Sequence, residues 1–132
     1  MSGGGEQLHA LSMAELTAGL EQGDFTSVEL TESLLARIGE ADERLNAFIT
    51  VTAEEALAAA ANADKARAAG KAGVLNGLPI IHKDIFCTRG IKTTCGSRML
   101  DTVIAPYDAT VVAKLAAAGA VVLGKSTMDE CA

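Results

Sequence analysis

Gly77-Leu78-Pro79-Ile80-Ile81-His82-Lys83-Asp84 decides the reading of this sequence. A glycine-containing break at 73–77 precedes an apolar run, and the run stops at three polar side chains. That pattern predicts a buried β-strand whose polar end carries Lys83. Residues 86–107 hold Gly90, Gly96 and Pro106 among scattered polar groups, which predicts a long irregular crossing. Asp108 then predicts a helix cap, with a helix over 109–118 closed by Gly119, and 120–124 (Ala-Val-Val-Leu-Gly) predicts a second buried strand. Strand, crossover helix and strand make a parallel βαβ-type unit.

The upstream half reads as helical. Ser12 with Glu15, Thr26 with Glu29 and Thr52 with Glu55 each have the spacing of a capping box. The first opens a helix that carries Met13, Leu16 and Leu20 and stops at Gly23. The second opens a longer helix striped with Val28, Leu30, Leu34, Leu35 and Ile38. A short strand is expected over 47–51, and the third helix over 52–69, with Gly70 as its stop. Leu57 is the one large apolar side chain in that third helix, so a weak anchoring face is expected there. Residues 1–7 are expected to be a flexible lead, because Gly3, Gly4 and Gly5 are conformationally permissive. Residues 8–132 are expected to be the N-terminal part of a single, truncated domain. The expected class is α/β, with N-terminal helices followed by the first strands of a mixed sheet that is incomplete at the C-terminus.

Composition narrows the function classes. Leu, Ile, Val and Phe together number 32 of 132 residues, enough apolar bulk for collapse to a core. No run approaches the roughly 18 apolar residues of a membrane span, and the opening lacks the features of a secretory signal. No membrane association and a cytoplasmic location are therefore expected. The net charge of −6, without a Lys/Arg cluster, argues against direct nucleic-acid binding. Cys87, Cys95 and Cys131 match no zinc or redox spacing, and reduced thiols are expected. His9 and His82 are too far apart and too poorly supported to suggest a metal site.

The chemistry-bearing candidate is Lys83. Open α/β folds place their sites at strand ends, and a lysine desolvated there has a lowered pKa and can serve as a base. Asp84 beside it would favour the charged form. A lysine paired with a carboxylate, or reaching out to solvent, is the competing structural reading. Lys125 stands similarly after the second strand and allows the same two readings. Leu123-Gly124-Lys125-Ser126 ends like a phosphate loop but lacks its first glycine and glycine-rich stretch. Ser97 and Ser126 read as loop or cap hydroxyls.

Four ordered blocks extend the pattern. They are 77–84; 88–97 (Thr-Arg-Gly-Ile-Lys-Thr-Thr-Cys-Gly-Ser); 106–112 (Pro-Tyr-Asp-Ala-Thr-Val-Val); and 119–130 (Gly-Ala-Val-Val-Leu-Gly-Lys-Ser-Thr-Met-Asp-Glu). Together they resemble the N-terminal part of the amidase signature family. Within that family the likeness, from about Leu8 onward, is to the glutamine-hydrolysing subunits of tRNA-dependent amidotransferases. The resemblance implies a Ser-cisSer-Lys amidase with Lys83 at the catalytic lysine position. It places both serines and a glycine/serine-rich loop downstream of Ala132, so the isolated chain is expected to be inactive. Cys131 departs from the large aromatic more common in the family.

The resemblance further implies glutamine as substrate and the B and C subunits of a heterotrimer as partners. Charged tRNA would be engaged through the partner subunit, which receives the ammonia. No cofactor is expected in this chain; ATP and Mg would be used by the partner. Two other readings stay open: a fragment of a general small-amide amidase of the same family, and a non-catalytic partner-binding module.

Overall fold

The computed structural model describes residues 5–100 and 102–128. Cys131 lies outside the described residues. Among those described, the chain runs as a 3-10 helix Gly5–Ala10, α1 (Met13–Gln22), α2 (Ser27–Leu45), β1 (Phe48–Val51), α3 (Ala53–Ala68), β2 (Pro79–Lys83), a 3-10 helix Arg98–Leu100, α4 (Thr110–Ala117) and β3 (Val121–Ser126). The strands form one mixed sheet in the order β1-β3-β2. β2 and β3 are parallel, with Ile80 opposite Val122 and Lys83 opposite Ser126. β1 runs antiparallel on the other side of β3, Val51 opposite Gly124. The expected α/β class and the parallel unit are both present. Helical backbone from Gly5 also means that regular structure begins inside the expected flexible lead of 1–7.

Two of the three expected capping boxes form. Ser12 Oγ accepts from the Glu15 amide at 3.1 Å while Glu15 Oε1 accepts from the Ser12 amide, and Thr26 with Glu29 repeats the arrangement. Gly23 closes α1 in the left-handed region at φ 76°, where the lack of a Cβ removes the steric cost. The third box is a correction. Thr52 stands at the N-cap of α3 but makes no capping bond there; its hydroxyl donates to Val122 O at 3.0 Å and ties β1 to β3. Asp108 is a second correction, because Ala109 is the N-cap of α4 and Asp108 Oδ1 instead accepts from the Arg89 amide at 2.7 Å. In both cases a cap-type side chain was recruited to a tertiary contact.

The alanine-rich α3 is anchored better than its composition predicts. Ala56 and Ala60 are buried against Val121 and Leu123, with Val28, Leu34, Leu35 and Ile38 of α2 packed on the same cluster. Small side chains let the helix backbone approach the sheet, so contact comes from proximity rather than side-chain size. A second cluster joins Leu8, Leu16, Leu20, Leu30 and Leu78, linking the opening helices to the start of β2. Asp64 adds a polar tie. Its two carboxylate oxygens accept from the amides of Ser27 and Val28 at 2.7 and 3.1 Å, so α3 supplies an acceptor for the otherwise unpaired amides at the start of α2.

Candidate active site

β3 lies between β1 and β2, whereas β2 has one hydrogen-bonded neighbour among the described strands. This difference separates the two lysines named from the sequence. Lys125, near the end of the central strand, is fully buried; Lys83, at the end of β2, is exposed. The expectation of a buried β2 is corrected accordingly. Ile81 is also exposed, while His82 between these two residues is buried. Alternation along a strand puts Ile81 and Lys83 on one side and His82 on the other.

Asp84 pairs with Lys125 across the strand ends instead of with its neighbour Lys83. Lys125 Nζ donates to Phe86 O at 2.8 Å and to Thr93 Oγ1 at 3.1 Å, and it lies 3.4 Å from Asp84 Oδ1. An ammonium has three donors; two are hydrogen-bonded and the third is left for the carboxylate. Asp84 Oδ2 accepts from the Thr94 amide at 2.9 Å and from the Thr94 hydroxyl. The pair therefore fastens the long loop, through Thr93 and Thr94, to the carboxyl ends of both parallel strands. Burial pushes the Lys125 pKa below the usual lysine value, and the Asp84 charge works against that shift.

The backbone around Lys83 is held from two directions. Lys83 is in register with Ser126, and the next amide, Asp84 N–H, donates to Ser126 O at 3.3 Å. The Phe86 amide donates to Lys83 O at 3.0 Å, closing a tight turn over 83–86. Phe86 O in turn accepts from Lys125, as above. Lys83's own ammonium has no hydrogen bond or ion pair among the described residues. Among the described residues it is thus an uncommitted amine on a tethered backbone.

His82 is a site neighbour to which its spacing in the sequence assigns no role. Its ring is buried, its Nε2 has no hydrogen-bond partner among the described residues, and it meets the Phe86 ring edge-on with centroids 6.4 Å apart. Burial, reinforced by the Lys125 charge, pushes its pKa below the ordinary histidine value, while Asp108 opposes. Ser97 Oγ accepts from the Met99 amide at 3.2 Å, in keeping with a loop hydroxyl. Cys87 and Cys95 form no disulfide. Cys95 has φ 51°, a left-handed backbone uncommon for a residue with a Cβ, and Gly96 continues that conformation at φ 72°. The Thr94-Cys95-Gly96 corner is therefore bent sharply where it meets Asp84.

The family model for amidases matches residues 29–132. The A subunit of the glutamyl-tRNA(Gln) amidotransferase of Azotobacter vinelandii is 60% identical over 125 residues, covering 95% of this chain and 26% of the relative. The same-named protein of Halorhodospira halophila is also 60% identical, with the same coverage. The chain thus spans about a quarter of the length of these curated relatives. Among solved structures, an amidase family protein from Bacillus anthracis superposes with a TM-score of 0.88 at 32% identity, over 96% of this chain and 26% of that one. The peptide amidase of Stenotrophomonas maltophilia gives 0.82 at 38% identity, over 87% of this chain and 24% of the other.

Proposed function

The chain belongs to the amidase family, and from that premise we propose that it is the lysine-bearing part of a glutamine-hydrolysing subunit of a tRNA-dependent amidotransferase. The observation that carries the proposal is the contrast between the two lysines. Lys125 is occupied by Phe86, Thr93 and Asp84, whereas Lys83 stands at the carboxyl end of a parallel strand with its amine uncommitted among the described residues. A base must be free to take a proton. Lys83 is the base in this reading, taking the proton that a second serine relays from a serine nucleophile. In the same reading both serines belong to the part of the relatives that this chain does not span. The isolated 132-residue chain is accordingly inactive.

Glutamine is the substrate and ammonia the product passed on. The partners are the B and C subunits, of which one uses ATP and Mg to activate Glu-tRNA(Gln) or Asp-tRNA(Asn) and amidates it. This chain's acidic balance agrees with leaving tRNA contact to that partner. The setting is the cytoplasm. No helix among the described residues is long and apolar enough to cross a membrane.

A second reading, a small-amide or peptide amidase, draws on the likeness to the Stenotrophomonas maltophilia enzyme. Substrate preference separates the two. Grafting this chain in place of the matching quarter of the Azotobacter vinelandii relative, and assembling it with that relative's own partner subunits, gives a chimera to assay for ammonia release. Preference for glutamine over propionamide and peptide amides is expected. Preference for the simple amides would replace the first reading with the second.

A further inference from the structure

We propose that the buried Asp84–Lys125 pair is a positioning element that fixes the turn over 83–86 and so presents Lys83 to the reacting centre. The inference rests on the reading of Lys83 as the base. Lys125 reaches from β3 to Phe86 O, the last residue of the turn, and Asp84, inside the turn, reaches across to the Thr94 amide and hydroxyl. Lys83 opens this turn immediately before both anchors, its carbonyl accepting from Phe86 N–H and its position in register with Ser126.

Stability alone is a poor reason for such a pair. Apolar residues of similar volume often replace a buried ion pair without loss. They cannot replace its directional bonds to a backbone carbonyl and an amide. A lysine side chain is long and rotamer-rich, so whether its amine reaches a reacting atom depends on where its Cα is held. Here both charges are buried, and their bonds to the Thr94 amide and to Phe86 O fix the backbone that follows Lys83.

The test uses the chimera carrying the full 132-residue chain, with kcat and KM for glutamine measured separately. In the Asp84→Asn/Lys125→Met double variant, which leaves no lone buried charge, kcat is expected to fall tenfold or more with KM within threefold of the parent, and the amides of β2 and β3 to remain protected from exchange. A kcat loss below tenfold in that folded variant overturns the proposal. Should β2 and β3 lose protection, Thr94→Val removes the hydroxyl arm alone. That variant is then expected to lose at least threefold in kcat at unchanged KM, and parental kcat overturns the proposal. Lys83→Ala is assayed in parallel. Parental turnover there would sink the reading of Lys83 as base, a failure separate from that of the positioning pair.

Discussion

Asp84 and Lys125 come from the ends of adjacent parallel strands and meet at 3.4 Å, with neither side chain accessible to solvent. Their neighbours absorb most of the remaining polarity. Thr94 donates to the carboxylate, while Phe86 O and Thr93 accept from the ammonium. Removing one partner therefore strands the other. Asp84→Ala or Lys125→Met alone is expected to cost about 3–5 kcal/mol, read from urea unfolding. The Asp84→Asn/Lys125→Met double variant is expected to lose less than the sum of its two single changes. Strict additivity would mean that the two side chains do not interact.

His82 gives the fold a pH dependence of defined sign. Its folded pKa is lowered by burial and by Lys125, so the unfolded chain takes up the proton first, near pH 6.5. The contribution is fully present above that pH and is lost as pH falls from it toward the folded pKa. Unfolding free energies measured between pH 7 and pH 5 should decline less steeply in His82→Phe than in the parent. Equal slopes would show that His82 titrates alike in both states.

Gly124 of β3 stands opposite Val51 of β1. A Cβ there would clash with Thr50 O and sit 2.8 Å from the Phe48 ring, and the first contact is backbone that cannot move aside alone. Gly124→Ala is expected to destabilise the chain by about 1–3 kcal/mol, as for other overpacked sites. Hydrogen exchange should show the loss first in β1. Unchanged protection of β1 would contradict the pairing described above.

Asp64 supplies acceptors to the start of α2 from a different helix. Asp64→Ala leaves the amides of Ser27 and Val28 without those acceptors and is expected to cost about 1–2 kcal/mol, the range for a lost N-terminal cap. Asp64→Asn, which keeps one oxygen, should recover part of that. Thermal unfolding of the three proteins checks the order.

Much of this arrangement is legible in the residue pattern. Ser12 with Glu15 and Thr26 with Glu29 are local devices, complete within four residues, and both form. The parallel β2–β3 unit follows from two apolar runs separated by a crossover. Thr52 and Asp108 go the other way because their partners, Val122 and Arg89, are distant in sequence, and a polar side chain next to a helix start can serve either role. The contrast between Lys83 and Lys125 is not legible. Each follows an apolar run, and their burial is decided by which strand takes the centre of the sheet. The antiparallel pairing of β1 with β3 settles that, and nothing near either lysine encodes it. For the same reason, chain order sets Asp84 against Lys83 while the fold sets it against Lys125.

The most direct measurement is glutamine-dependent ammonia release by the chimera bearing Lys83→Ala, beside the parent chimera and the grafted chain alone. A general base is worth about 10²–10⁴-fold. The expected result is a kcat loss in that range for Lys83→Ala, with its unfolding midpoint at the parent value and no turnover by the isolated chain. Parental kcat in a folded Lys83→Ala chimera would contradict the assignment of Lys83 as the base.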